Sequence, residues 1–222
     1  MGALQVTADV KPKHQPTVVL STPAAVAARL KELNLDRTKL LTVAAIATAE
    51  KANATPYHCA NAGGTFAYQH GTFALRDKFA EDGWVPDRVD GVESIRFGNI
   101  KVAFSNVDVA CDSLNLPRPR TDKGAGAERA ANISLFDGDS LPHFGRTPTV
   151  GPALYYLMVG EDGRAELTRA AVQNGVFVAA IERIFLGRLE DDMDAPSPPI
   201  AADVADGFDP VVERKRPFDR DR

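Results

Sequence analysis

Apolar residues in the first quarter of the chain recur at the spacing of an amphipathic α-helix. Val26, Leu30 and Leu33 fall at i, i+4 and i+7 after Pro23, a residue that suits the first helical turn. The spacing restarts after Asp36, a residue type that caps helices. This second run places its apolar residues at Leu40, Val43, Ala44 and Ala47. The pattern predicts a helical hairpin, preceded by a short strand in "TVVL".

Turn-forming residues interrupt the helical pattern after residue 54. Pro56 and the pair Gly63-Gly64 predict a glycine-containing loop in "TPYHCANAGGTFAYQHG". A further helix is predicted from about Thr72 to Asp82, with Gly83 in a C-terminal capping role.

The pattern then changes to the alternation of β-strands. With Gly98-Asn99 as a two-residue loop, Phe97 pairs with Ile100, and Arg96 lies opposite Lys101. A slip of one residue would expose the apolar face, so the register of this hairpin is well specified.

A second hairpin is predicted to turn at Asp162-Gly163, which pairs Met158 with Leu167. The next segment, "VFVAAIERIFLG", is ambiguous. Its spacing of Phe177, Ile181 and Ile184 favours a last helix, and the alternative is a third strand after an Asn174-Gly175 turn.

Helical and strand segments are segregated along the chain, which predicts an α+β fold. We expect an N-terminal helical layer packed on an antiparallel sheet built from two β-hairpins. Residues 1–17 are predicted to be a flexible N-terminal tail and 18–187 a single α+β domain. Residues 188–222 are predicted to be a disordered tail, acidic at first and then basic, with the proline-rich "APSPP" in its middle.

Composition narrows the class of protein. The chain has 222 residues and a formal net charge of −4, which disfavours a protein whose whole surface binds nucleic acid. It contains no apolar run long enough to span a bilayer and no secretory signal, so we expect a cytoplasmic protein without a membrane. Two cysteines are too few for a disulfide framework.

Basic residues nevertheless cluster around the first hairpin and the stretch "RPRTDKGAGAERAAN". Gly124 and Gly126 let backbone amides approach an anion, and the stretch predicts a helical turn whose N-terminus faces that anion. The alternative is a solvated loop with local ion pairs. The candidate nucleic-acid or anion-binding residues are Arg96, Lys101, Arg118, Arg120, Lys123 and Arg129.

Two further sets of residues suggest chemistry. Cys59 with His70 is a candidate nucleophile and base, although buried thiols and loop histidines are the commoner explanation. Asp108 and Asp112 share one strand face if the strand continues, where paired carboxylates hold Mg²⁺. Neither set has the spacing of a known metal motif, so no cofactor is predicted.

These observations favour a non-enzymatic accessory protein that binds nucleic acid or another polyphosphate through a local cationic patch. One alternative is an interaction subunit of a larger complex that binds a protein partner through residues 188–222. The other is an enzyme that uses the Cys59–His70 pair or an aspartate-bound metal.

Overall fold

The computed structural model describes residues 17–89, 91–133 and 151–192, and within these ranges the chain forms four α-helices and seven β-strands. The helices are α1 (Pro23–Glu32), α2 (Arg37–Ala52), α3 (Ala62–Phe79) and α4 (Ala125–Ile133). The strands are β1 (Val18–Leu20), β2 (Val85–Val89), β3 (Val92–Phe97), β4 (Ile100–Asn106), β5 (Ala153–Val159), β6 (Ala165–Gln173) and β7 (Val176–Gly187).

The seven strands form one open, mixed sheet in the order β1-β7-β6-β5-β4-β3-β2. Two neighbouring pairs, β1–β7 and β4–β5, are parallel, and the other pairs are antiparallel. The predicted antiparallel sheet of two hairpins is therefore wrong. The chain passes through α4 between β4 and β5, and a crossover of this kind lets neighbouring strands run in the same direction.

The two predicted hairpins differ in outcome. The first is confirmed, with Phe97 opposite Ile100 and Arg96 opposite Lys101. In the second, Leu157 lies opposite Leu167, so the predicted register is wrong by one residue. The connection from Gly160 to Arg164 is longer than the two-residue turn that was assumed, and loop length sets the register of a hairpin.

The segment 176–187 is strand β7, and the preference for a helix is wrong. Asn174 and Gly175 have φ values of 51° and 81°. Positive φ at both central residues is the geometry of a tight hairpin turn, and Gln173 lies opposite Val176 across it. The helical spacing of the apolar residues arises because β7 is irregular, with register shifts against β6.

Helices α1 and α2 begin where the sequence predicts. Thr22 precedes α1, and the Asp36 carboxylate accepts a hydrogen bond of 2.8 Å from the amide of Lys39 at the start of α2. Helix α3 is longer than predicted: it begins at Ala62, inside the expected loop, and includes both glycines of the Gly63-Gly64 pair. The capping role of Gly83 is confirmed by its left-handed φ of 82°.

Helices cover both faces of the sheet. Helices α1, α2 and α3 pack on one face against side chains such as Val102, Phe104 and Leu157. On the other face, α4 and the segment from 107 to 124 cover Ala103 and Tyr156. Apolar residues therefore occupy successive positions of the central strand β5, "ALYYLMV", as expected for a strand that is buried on both faces.

No described helix is both long and apolar enough to cross a membrane. Residues 1–16 and 193–222, which contain nearly all of the two predicted tails, lie outside the described part of the chain.

Candidate functional site

A pocket of about 700 Å³ lies at the carboxyl ends of the parallel strands β4 and β5. Asn106 and Val107 line it from the end of β4, and Val159 and Gly160 from the end of β5. Crevices outside the carboxyl ends of parallel strands are the usual ligand sites of open sheets, because the connections leave the strand ends in different directions there.

The pocket extends into a gap in the sheet between β3 and β4. The ladder between these strands ends at the pair Ser94–Ala103. Beyond it, Val92 and Glu93 pair only with β2, while the last residues of β4 pair only with β5. Val92 and Glu93 consequently line the pocket.

The N-terminus of α3 borders the pocket on the first face of the sheet. Asn61 is the N-cap, but its side chain makes no capping hydrogen bond. Gly64 lines the pocket, and a Cβ placed on it would meet no atom within 4 Å. The carbonyl of Gly64 accepts a 2.9 Å hydrogen bond from Asn106 Nδ2, which joins the helix start to the end of β4. The first amides of a helix lack partners within the helix, so this end attracts anions.

The N-terminus of α4 borders the same pocket from the other face. Gly124 and Ala127 line the pocket, and the amide of Glu128 donates to the carbonyl of Gly124 at 3.1 Å as the helix begins. The amide of Lys123 is held by the carbonyl of Gly175, in the β6–β7 turn, at 2.9 Å. The predicted helical turn is thus confirmed, and it begins at Ala125, between Gly124 and Gly126.

Lys123 extends its side chain between the end of β4 and two aromatic rings. Its Nζ donates a 2.7 Å hydrogen bond to Ser105 Oγ and lies 5.6 Å and 5.7 Å from the ring centroids of Tyr156 and Phe177. Burial lowers the pKa of Lys123 to about 8, because the ammonium loses its hydration. Within the described residues, no carboxylate lies within ion-pair distance of this Nζ.

Tyr156 supplies a second polar group without a partner. The residue is only 2% exposed, it lines the pocket, and its hydroxyl makes no hydrogen bond to any described residue. Burial, and next the nearby Tyr68 hydroxyl, raise the pKa of Tyr156, so the phenol is protonated at neutral pH. Buried hydroxyls are nearly always hydrogen-bonded, and an exception in a pocket points to a ligand or water.

Charged side chains of both signs surround the opening. Arg120 and Glu161 both line the pocket and pair with each other. Glu93 is held by Arg76 at 2.5 Å and by Arg88 at 2.9 Å. Glu93 and Glu161 are thus neutralised by arginines, whereas no carboxylate of a described residue pairs with the Lys123 ammonium. Asp122 also lines the pocket.

The predicted cations do not form one patch. Lys101 is buried and pairs with Asp87 at 2.5 Å. Arg96 donates to the carbonyl of Gly98 at the far end of the β3–β4 hairpin. Arg118 and Arg129 are exposed. Arg120 and Lys123 border the pocket, and they are the two predicted cations that the structure brings together.

The residues of the two alternative sites lie in different parts of the structure. Cys59 is exposed, and His70 lies two turns into α3, 3.7 Å from Glu50. Asp108 accepts hydrogen bonds from the amides of Val109 and Arg118.

Asp112 likewise accepts from the amide of Leu114 and the side chain of Asn115. The described ranges contain no group of three or more His, Cys, Asp or Glu arranged to hold a metal ion.

A buried ion pair fixes the segment that leads from β4 toward Lys123. Arg183 binds Glu166 through two hydrogen bonds of 3.0 Å and 2.7 Å, and both side chains are almost fully buried. Arg183 also donates to the carbonyls of Asp112 and Asn115. Glu166 accepts from the amide of Cys111 at 2.6 Å. The pair thereby ties the segment to the second face of the sheet.

Sequence reasoning missed Ser105, Tyr156 and the start of α3 as parts of this site. The Asn61-Ala62-Gly63-Gly64 stretch was the available signal, because a capping residue followed by small residues is compatible with a helix start open to a ligand. Nothing in the local sequence marks Tyr156, which lies in an apolar run.

Comparison with known proteins yields no relative. No protein-family model, no curated protein and no solved structure matches this chain.

Proposed function

We propose that this protein binds a small phosphate-bearing molecule in the pocket at the carboxyl ends of β4 and β5. The observation that carries the proposal is that two polar groups line one pocket: among the described residues the Lys123 ammonium has no carboxylate partner and the Tyr156 hydroxyl has no hydrogen-bond partner. A phosphate supplies what both lack, namely negative charge and acceptor oxygens.

Energetics support an anion at this position. A partly buried ammonium is unfavourable unless its charge is compensated, and among the described residues Lys123 Nζ contacts one neutral hydroxyl and two aromatic rings. A hydrogen bond to a charged group contributes about 1.5–3 kcal/mol, and more than one is available in the pocket.

The two helix starts add to the attraction. Helices α3 and α4 both present first-turn residues to the pocket, and a glycine lines it at each start: Gly64 within α3 and Gly124 immediately before α4. Amides at a helix N-terminus bind phosphate oxygens, and the absence of a side chain lets the ligand approach the backbone.

The proposal narrows the sequence-based expectation of a polyphosphate or nucleic-acid binder. Binding of nucleic acid through surface cations remains a prediction, but the separation of Arg96 and Lys101 from Lys123 gives it less support than the pocket has. A pocket enclosed between two helix starts suits a small ligand better than a continuous strand of nucleic acid.

Calorimetric titration of the full chain with pyrophosphate, a nucleoside triphosphate and a short single-stranded oligonucleotide tests the proposal. Lys123→Met removes the charge and keeps the length of the side chain. Lys31→Met, at an exposed position of α1, is the matched control. Arg96→Ala/Arg118→Ala examines the surface cations separately.

We expect saturable binding of a small phosphate ligand that weakens about 10- to 100-fold in Lys123→Met, from the loss of one charged hydrogen bond. The control and the surface double variant should bind as wild type does. Oligonucleotide binding that depends on Arg96 and Arg118 but not on Lys123 would refute the pocket and favour the surface patch. Absence of binding by any of the three ligands would also overturn the proposal.

A further inference from the structure

We propose that Lys123 forms an imine with an aldehyde or ketone bound in the pocket. The orientation of the substrate rests on the proposed function, because the phosphate of a phosphorylated carbonyl compound would bind at the N-termini of α3 and α4. The substrate class is thus a small carbonyl compound that bears an anionic group.

The geometry favours an amine that reacts rather than one that only neutralises charge. Lysines that serve structure usually pair with a carboxylate, as Lys101 does with Asp87. Lys123 instead contacts a hydroxyl and two rings, and the residue lines a pocket large enough for a small substrate. The Tyr156 hydroxyl, which has no hydrogen-bond partner among the described residues, belongs to one of those rings.

Burial also favours the neutral amine, which is the nucleophilic form. With a pKa of about 8, roughly one Lys123 in ten is neutral at pH 7, against roughly one in three thousand for an ordinary lysine. The groups facing Nζ are Ser105 of β4, Tyr156 of β5 and Phe177 of β7. Charged side chains elsewhere along the pocket are Lys51, Glu93, Arg120, Asp122 and Glu161.

The reaction is a condensation without oxidation or reduction. The lone pair of Nζ attacks the carbonyl carbon, and the carbonyl oxygen takes up a proton to give a carbinolamine. The carbon–oxygen bond then breaks, water leaves with the two protons that the nitrogen loses, and a carbon–nitrogen double bond remains. The Tyr156 hydroxyl is the group available to donate a hydrogen bond to the carbonyl oxygen as its charge develops.

Reductive trapping tests the proposal with two carbonyl probes. The full-length protein is treated with formaldehyde or with pyridoxal 5′-phosphate, each with cyanoborohydride, and the labelled lysines are mapped by peptide mass spectrometry over time. Formaldehyde reports the reactivity of the amine alone, whereas the phosphorylated aldehyde also requires the anion site. Lys123→Arg and the surface control Lys31→Arg are treated in parallel.

We expect Lys123 to be labelled at least tenfold faster than Lys31 and the other lysines by both probes, with a rate that rises between pH 7 and pH 9 and then levels off. Pyrophosphate should slow labelling by pyridoxal 5′-phosphate more than labelling by formaldehyde. Labelling in Lys31→Arg should match wild type, and the fast phase should be absent from Lys123→Arg.

Labelling of Lys123 no faster than that of surface lysines would overturn the imine proposal, even if calorimetry finds pyrophosphate bound. Fast labelling by formaldehyde without any preference for the phosphorylated aldehyde would keep the reactive amine and refute the anion site. Because mapping is done on the wild-type protein, the result does not depend on whether a variant folds.

Discussion

Replacing Lys123 with methionine should make the protein more stable at neutral pH, and the gain should disappear in alkali. In the folded protein, burial lowers the pKa of Lys123 from 10.5 to about 8. A lysine whose folded-state pKa is depressed lowers stability while it is charged. This penalty is fully present below pH 8, and it is relieved as pH rises from the folded pKa toward the unfolded one, because the unfolded chain then binds more protons.

The magnitude follows from the shift. Two and a half pKa units correspond to about 3 kcal/mol at neutral pH. Methionine has a similar length and no charge to desolvate, and it packs between the rings of Tyr156 and Phe177. The stability difference between variant and wild type should therefore shrink by about 2–3 kcal/mol between pH 7 and pH 10.

Urea unfolding measured at several pH values, with the fluorescence of the buried and single Trp84 as signal, gives this difference directly. Burial raises the pKa of Cys111 to about 11 and that of Tyr155 to about 12, and it also raises the pKa of Tyr156, so these groups stay largely protonated in the folded protein up to pH 10. They are present in both proteins and cancel in the comparison. Lys31→Met should follow wild type at every pH. A difference between Lys123→Met and wild type that stays constant from pH 7 to pH 10 would refute the buried, desolvated ammonium.

Three further substitutions test the site and its support. Gly64→Asp should raise the free energy of unfolding by about 0.5–2 kcal/mol, because it replaces a helical glycine and adds an acid in the first turn. The same substitution should weaken pyrophosphate binding. Urea unfolding and calorimetry measure the two effects, and tighter binding would contradict the site. Arg183→Met should lower the free energy of unfolding by about 3–5 kcal/mol, because it leaves Glu166 buried and unpaired. In urea unfolding, the double variant Arg183→Met/Glu166→Leu should lose less stability than Arg183→Met alone. Equal losses in the two variants would contradict the coupling. Gly71→Ala should lower the free energy of unfolding by about 1–3 kcal/mol, because the added Cβ would lie 2.6 Å from the Phe104 ring. An unchanged midpoint of urea unfolding would show that the ring moves aside.

The sequence predicted only part of the candidate site. Lys123 and the helix that begins between Gly124 and Gly126 were found because cations and glycines close together in the chain are a local signal. The site also needs Ser105 and Tyr156, which lie in strands that read as ordinary buried sheet. Polar atoms in such strands become informative only when their hydrogen-bond partners are counted in three dimensions, as for the Tyr156 hydroxyl.

Local structure was determined by the sequence itself. The Asp36 cap, the spacing of apolar residues in α1 and α2, and the Gly98-Asn99 turn each depend on residues within a few positions of one another. Such short-range interactions leave a pattern that can be read directly. The ambiguous segment 176–187 shows the limit, because an irregular strand with register shifts mimicked helical spacing.

The tertiary structure decided the strand order, the parallel pairing of β4 with β5, and the pocket that this pairing creates. Whether neighbouring strands run parallel depends on how the connection between them covers the sheet, and on which apolar faces are buried together. Lys123, Ser105 and Tyr156 lie on separate elements of the chain, and they meet because α4 covers the face of the sheet opposite α3. That contact is a property of the whole packing, so it leaves no mark on any short stretch of sequence.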